Sequence, residues 1–290
     1  MKRLVFKIIP ALICGIMFWV ASSCNKEDFS TFNNPDKFRL VRVLSYSNSK
    51  ASASNLVGES VYAYDGAGNI IKVSFYERLH STNTLLYYYE YEYSGNKKVK
   101  ESFFGGIAGN PTLNFYILYF YEDDKLVGEE YYSKRFDDMS HSLYDTRSYE
   151  YDERGNLVIE FWHGYYRGST IPGESELKYS YDEQNRLVLK ETIGIDDVNS
   201  SNYIEYIYKG TGKLPEKELH YDGNGNLTVT YHHYYDSFEN LLETKINDEC
   251  SKLKRKYKGK LLIEEIHFWS SWGWGGCSEN GMSKYEYEGI

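Results

Sequence analysis

One short string recurs along this chain and constrains its fold more than any other feature. Its clearest copies are Tyr64-Asp65-Gly66-Ala67-Gly68-Asn69-Ile70, Tyr151-Asp152-Glu153-Arg154-Gly155-Asn156-Leu157 and Tyr221-Asp222-Gly223-Asn224-Gly225-Asn226-Leu227. Variants begin at Tyr181, Tyr208 and Tyr235, shorter versions at Tyr93, Tyr121 and Tyr257, and a last copy starts at Tyr285 and stops. Leaving out Tyr221, successive anchors mostly stand 27 to 30 residues apart, while Tyr221 splits one interval nearly in half. Self-similarity at such a period marks an array of supersecondary units that bury one another.

The chemistry of one copy fixes the unit. Asp152 opens a type I turn, where its carboxylate accepts nearby backbone N–H groups. Gly155 supplies the left-handed residue that completes a three-residue hairpin loop with a bulge. Asn185 takes that place in one copy, and Asn tolerates it next best. Glu239 takes it in another, which predicts a longer or strained turn. Closed this way, the hairpin sets Tyr151 opposite Leu157. Tyr64, Asp65 and Gly68, and Tyr221, Asp222 and Gly225, have the same structural roles.

The flanks alternate with period two, as strands do. Tyr87, Tyr89, Tyr91 and Tyr93 share one face, and Tyr88, Glu90 and Glu92 the other. Beyond the Tyr151 turn, Leu157, Ile159 and Phe161 face one way. Val158, Glu160 and Trp162 face the other, a mixture that reads as half exposed. Composition agrees: 31 Tyr against 5 Pro, with no apolar stripe at helical spacing, favours β-structure. The expected fold is all-β, with some sixteen to twenty strands in repeated antiparallel hairpins that form an elongated, twisted or curled single sheet. Charged Glu/Lys-rich final strands would guard its edge. Glu and Lys on nearly every outward face argue against a transmembrane barrel.

The copies resemble the YD repeat of the RHS family, whose core is Tyr-Asp-x-x-Gly-Asn-Leu followed by a strand. The resemblance spans roughly residues 40–290. It implies a curled sheet of hairpins, sometimes a closed shell, and a tendency toward surface and carbohydrate contact. The family's toxin-delivery role does not carry over, because the repeat runs to the last residues of this chain.

Residues 1–23 read as a secretion signal: basic Met1-Lys2-Arg3, an apolar run from Ile8 to Val20, then Ala21-Ser22-Ser23 before Cys24. This resembles a bacterial lipoprotein signal, with Cys24 the acylated first residue. The Asn25-Lys26-Glu27-Asp28 that follows resembles the export tag of Bacteroidota surface lipoproteins. Each buried CH₂ of an acyl chain would add about 0.8 kcal/mol of membrane affinity. The expected layout is signal 1–23, a lipidated tether 24–38 and a repeat domain 39–290, held at the outer membrane and facing the cell surface or the periplasm. Losing Lys2, Arg3 and Lys7 with the signal takes the net charge from −9 to −12, which excludes a phosphate-backbone binder. Once Cys14 leaves and Cys24 is lipidated, Cys250 and Cys277 remain. In an oxidising compartment they form a candidate disulfide or stay as two thiols.

The hairpins give two edges, one of tight turns and one of longer connections: Glu77 to Thr84, Phe104 to Thr112, Lys134 to Leu143, His163 to Ser175, Thr192 to Asn202 and Phe268 to Ser283. Loops on a rigid scaffold are where binding concentrates. Two are aromatic, one with Trp162, Tyr165 and Tyr166, the other with Trp269, Trp272 and Trp274. Their rings suit stacking on sugars or anchoring a protein, or else pack over the sheet end. No nucleophile elbow, zinc motif or phosphate loop is present. Asp222-Gly223-Asn224-Gly225-Asn226 mimics the start of a calcium loop, without its later Gly and Glu, and reads as a turn. His220, His232 and His233 stand close enough in the pattern to meet across strands, although His232 and His233 point to opposite faces, so only one of those two can join a site. Glu264 and Glu265 likewise straddle a strand and read as solvated. No cofactor or metal is expected. The expected function is a non-enzymatic, lipid-anchored binding protein for a polysaccharide or an envelope protein. The alternatives are a structural component that binds a partner along its sheet, or a glycan-active enzyme with two carboxylates from distant hairpins.

Overall fold

The computed structural model describes residues 38–48, 50–52, 54–79, 82–134, 140–165, 172–194, 201–247, 250–258, 260–270 and 277–289. The proposed signal, Cys24 and almost all of the tether therefore lie outside the described residues. Strands β1 to β6 are Phe38–Tyr46, Leu56–Tyr64, Ile70–Leu79, Thr82–Ser94, Lys97–Ile107 and Asn110–Glu122. Strands β7 to β12 are Lys125–Lys134, His141–Tyr151, Leu157–Tyr165, Pro172–Tyr181, Leu187–Gly194 and Asn202–Tyr208. Strands β13 to β18 are Pro215–Tyr221, Leu227–Tyr235, Leu241–Ile246, Cys250–Lys258, Leu261–Ser270 and Cys277–Gly289.

Each strand pairs with its neighbours in sequence, and β18 pairs with β1, so Leu40–Tyr287 forms a closed 18-stranded barrel. The expected antiparallel hairpins are present, but the sheet does not stay open. The sheet closes at the copy that starts at Tyr285. Its forward strand is β18, and the return strand that completes the hairpin is β1, from the other end of the described chain. On the outside of this seam Arg42 reaches Glu286 at 2.6 Å and Glu59 at 3.3 Å. Charged final strands therefore meet a partner strand and guard no free edge.

The turns take the expected form. The Asp152 N–H donates to the Asn156 carbonyl at 2.9 Å and the Gly155 N–H to the Asp152 carbonyl at 3.0 Å. The Asp152 carboxylate accepts from the Asn156 backbone and side-chain N–H groups at 2.7 and 2.8 Å. Gly155 has φ +86°, and the register shifts beside Tyr151, leaving Tyr151 opposite Leu157. Glu239 adopts φ +65° in a turn of the same length, so that copy is strained rather than longer. The Tyr221 copy is the same turn placed at the opposite end of the barrel, joining β13 to β14 where the longer connections lie. That position explains the halved interval.

The expected connections are shorter than sequence suggested. Strands β3 and β4 run to Leu79 and from Thr82, and β5 and β6 to Ile107 and from Asn110, because cross-strand pairing continues through Glu77–Thr84 and Phe104–Thr112.

The anchor tyrosine has a purpose that its position before the turn makes possible. Two strands joined at the far end have no covalent link at the tight-turn end, where their ladder would fray. There the tyrosine hydroxyl donates to a backbone carbonyl of the neighbouring strand. Tyr64, Tyr93, Tyr121 and Tyr151 reach Leu40, Ile70, Lys98 and Leu126 at 2.6 to 3.0 Å. Tyr181, Tyr208, Tyr235, Tyr257 and Tyr287 reach Leu157, Leu187, Pro215, Leu241 and Leu262 at 2.8 to 3.2 Å. Every even strand is thereby fastened to the odd strand before it, all round the ring. Tyr221, at the opposite end, instead donates to the Glu205 carboxylate at 2.9 Å.

Tyr151→Phe is expected to cost about 1 kcal/mol of unfolding free energy, the net value of one such bond with its carbonyl left poorly solvated. Tyr221→Phe, which loses only a bond to a carboxylate on the outer face, should cost less than half of that. Urea unfolding of the two variants measures the difference, and equal losses would contradict the role given to the anchor.

Candidate functional site: the inner face and its loop end

Register sorts the side chains into two faces. The buried Val73, Phe75, Glu160, Tyr179, Glu218, Thr244 and Glu265 share the inner one. The outer face carries ion pairs such as Lys72–Glu90 at 2.9 Å, Lys100–Glu92 at 2.8 Å and Lys178–Glu176 at 3.5 Å. Among the described residues these charges interrupt the outer face, and a charge on a lipid-facing strand costs roughly 2–4 kcal/mol at the bilayer midplane. The Glu160 face, which the sequence suggested was half exposed, is thus the interior.

Two residues before each anchor, a single layer of cross-strand pairs runs round the interior. It reads Tyr62 with Val73, Tyr91 with Glu101, Tyr119 with Glu129, and Tyr149 with Glu160. It continues as Tyr179 with Lys190, Tyr206 with Glu218, His233 with Thr244, and Arg255 with Glu265. Hydroxyls of this layer latch one hairpin to the carboxylate of the one before: Tyr119 donates to Glu101 and Tyr179 to Glu160, each at 3.1 Å. Burial pushes the Tyr62 hydroxyl up to about 12, and Tyr91, Tyr119 and Tyr149 higher still, with neighbouring carboxylates adding to the effect.

The charged groups are held by partners of opposite charge or by donors. Glu218 accepts from His220 Nε2 and His233 Nε2, each at 3.1 Å, and His233 Nδ1 meets Thr244 Oγ1 at 3.1 Å. Glu265 meets Arg255 Nε at 2.5 Å and His267 Nε2 at 2.9 Å. Burial disfavours both carboxylates, but these hydrogen bonds and charges outweigh it and hold each at about 2. Glu265 is only 3% exposed, which corrects its reading as solvated. His220 and His233 do meet, through one carboxylate; among the described residues no group of three or more His, Cys, Asp or Glu is arranged to hold a metal ion. The Asp222 carboxylate is occupied by the Asn224 and Asn226 N–H groups at 2.9 Å each, as a turn requires.

Toward the longer connections the interior becomes aromatic. Ring contacts run from Phe75 to Tyr89, Phe103, Phe115 and Tyr131 with centroids 4.8 to 6.0 Å apart. They continue to Tyr144 at 5.8 Å and Tyr165 at 5.7 Å, and Tyr165 is 37% exposed. Beside this end Trp162 faces Arg147 across the ladder, and its indole donates to Asp145. Burial pushes the Asp145 carboxyl up, against the pull of the Arg147 charge and that hydrogen bond. Gly164 makes the close approach possible: a Cβ there would lie 2.2 Å from the Asp145 Cβ. His163 and Glu174 pair on the exposed side at 3.1 Å.

Of the aromatic candidates, Trp162 and Tyr165 both lie near the end of β9, Trp162 beside Asp145 and Arg147 and Tyr165 against Tyr144. Tyr166, Trp272 and Trp274 lie outside the described residues. Trp269 pairs with Ser278 through the backbone, and its side chain is not described. Cys250 opens β16 and Cys277 opens β18, on either side of β17, and their side chains too lie outside the described residues. Asp145 and Arg147 were missed in the sequence, where alternation placed them on a strand face but nothing marked that face as interior.

No protein-family model matches the chain, and no curated protein matches it. A protein of unknown function from Bacteroides fragilis is similar to it in structure at a TM-score of 0.33 and 12% identity, over 47% of this chain and 89% of that one. A porin-like protein from Bacteroides uniformis is similar at a TM-score of 0.43 and 9% identity, over 86% of this chain and 98% of that one. A Photorhabdus luminescens Tc holotoxin pore is similar at a TM-score of 0.40 and 14% identity, over 81% of this chain and 14% of that one. None is similar enough to bear on function.

The two buried carboxylates make acid stability predictable in sign. Their pKa values lie below the ordinary 4.5, so the stability they contribute is present above pH 4.5 and lost as pH falls toward 2. Glu218→Gln and Glu265→Gln should each be less stable at pH 7 and flatter between pH 4.5 and 2. Melting temperatures across that range test it; an unchanged slope would contradict the pairing.

Proposed function

We propose that the chain is a lipid-anchored, non-enzymatic binding protein of the cell envelope that engages a glycan through aromatic residues at its long-connection end. The observation that carries this reading is the arrangement around Trp162. An indole stands beside a carboxylate and a guanidinium on β8 and β9, and three residues further along β9 the Tyr165 ring is exposed against Tyr144. Aromatic faces pack on the C–H faces of sugars, while Asp and Arg hydrogen-bond hydroxyls. The buried carboxylates at Glu218 and Glu265 are tied to neighbours of the same sheet, which supports a structural role for them.

Leu40 and Tyr287 both lie at the tight-turn end of the barrel, opposite Trp162 and Tyr165. The tight turns themselves bond to one another, as Asn156 and Asn185 do reciprocally at 2.6 and 2.9 Å, and offer few free groups to a ligand.

An array of neutral and acidic oligosaccharides tests the reading with the purified protein. Binding that falls at least tenfold in Trp162→Ala or Tyr165→Ala is the expected result. A blank array from folded protein, with one envelope protein co-purifying, would replace the glycan with a protein partner docked on the sheet. Turnover of a saccharide, abolished by changing one inner carboxylate, would make the chain an enzyme.

A further inference from the structure

The surroundings of Trp162 narrow the class of glycan that can be held there. Two rows of directly paired residues cross β7, β8 and β9 near the long-connection end, and alternation turns both inward with Glu160. One row is Glu129, Arg147 and Trp162; the other is Tyr131, Asp145 and Gly164. All of these residues therefore share one face. Gly164 leaves a gap in the second row that the indole occupies, since a Cβ there would stand 3.0 Å from Trp162 Cζ2. The Asp145 carboxylate thus has the Tyr131 ring on one side and, on the other, the indole that donates to it. Asp145, Arg147 and Trp162 are only half-buried, so solvent reaches them.

Charge is unevenly matched on this face. Arg147 is the one cation of the two rows, and it serves Glu129 across the ladder, Asp145 on its own strand and Glu160 at 3.7 Å. Of the inner-face lysines nearby, Lys98 is committed to Glu101 at 2.7 Å, and Lys190 stands over the Tyr179 ring on the far side of Glu160. The hydroxyls of Tyr149 and Tyr179 donate to Glu129 and Glu160 but bring no positive charge. Three carboxylates therefore share one guanidinium. Burial pushes both Asp145 and Glu129 up in spite of that charge, the sign of anions short of a partner.

A ligand that supplies the missing charge fits best. An ammonium group between the Tyr131 and Trp162 rings would meet the Asp145 carboxylate and two aromatic surfaces, and Trp is the strongest ring for such a contact. A carboxylate or sulfate in the same place would face Asp145 with no uncommitted cation to offset it. We propose that Trp162 and Asp145 select a glycan whose sugar units carry free, protonated amines, such as a polymer of glucosamine. The proposal rests on the glycan reading given above and names the class that the same site takes.

The test compares oligomers of glucosamine, N-acetylglucosamine, glucose and galacturonic acid on the purified protein, at a pH where the amines are protonated. Replacing the ammonium by an acetamide should weaken binding roughly tenfold or more, the worth of one charged hydrogen bond. Asp145→Asn should abolish that preference. Glu174→Gln, which removes a carboxylate from the outer face of β10, should leave it intact. Melting curves check that each variant folds, and the comparison of probes on the unaltered protein stands without them. Equal binding of the aminated, acetylated and plain oligomers would overturn the selection while leaving the glycan reading intact, as would a preference for galacturonate. A preference that survives Asp145→Asn would also overturn it. A blank with every probe would overturn both.

Discussion

A strand pair that is joined at one end frays at the other, and this barrel answers that problem with a side chain. At the tight-turn end, the hydroxyl of the tyrosine just before the turn donates to a carbonyl on the neighbouring strand that the backbone ladder no longer reaches. Because the tyrosine comes with the turn, every hairpin added to the array brings its own fastening to the hairpin before it. The series stays unbroken where the first and last strands meet, since Tyr64 reaches Leu40 on β1 and Tyr287 reaches Leu262 on β17. Closure leaves no unpaired edge, the feature that makes open sheets prone to aggregate.

The interior follows from the same alternation. If the anchor faces inward, so does the residue two before it, and that is where the second layer of tyrosines stands. Their hydroxyls need partners once they are buried, and the return strands supply carboxylates at the register position opposite. In the later hairpins His233 and Arg255 take the tyrosine's place, and the carboxylate partners remain. Breaking one member of such a buried pair is costly, typically about 3–5 kcal/mol, because the other is left buried and unpaired. The inner face is therefore bound up in holding the barrel together, and exposed aromatic and polar groups at the long-connection end are left for ligands.

Much of this was legible in the sequence. The turn geometry, the alternation and the strand number follow from local chemistry: Asp and Asn close the turn, and a period of two sorts the faces. What was not legible is non-local. No residue in the last copy announces that β1 will complete it, so closure could not be read. Without closure, the Glu160 face could not be recognised as interior, and Glu265 looked like half of a solvated pair. The short connections were missed because Gly and Asn residues near Phe104–Thr112 suggested a loop, whereas the strands pair to within two residues of each other. At the candidate site, Trp162 and Tyr165 were visible as aromatics, but Asp145 and Arg147 become their neighbours only through pairing of β8 with β9.

Buried, hydrogen-bonded tyrosines hold the ring, and their contribution is read by a spectrophotometric titration of tyrosine ionisation followed together with far-ultraviolet circular dichroism. Exposed tyrosines ionise near pH 10, whereas Tyr62, Tyr93 and Tyr208 are pushed up to about 12 by burial, and other inner-face tyrosines beyond that. A raised native pKa means that stability is full below pH 10 and falls as pH rises above it, because the unfolded chain ionises first. Two classes are expected, with the second ionising in one cooperative step that coincides with loss of the β signal. A single class titrating near pH 10 with the sheet intact would contradict it.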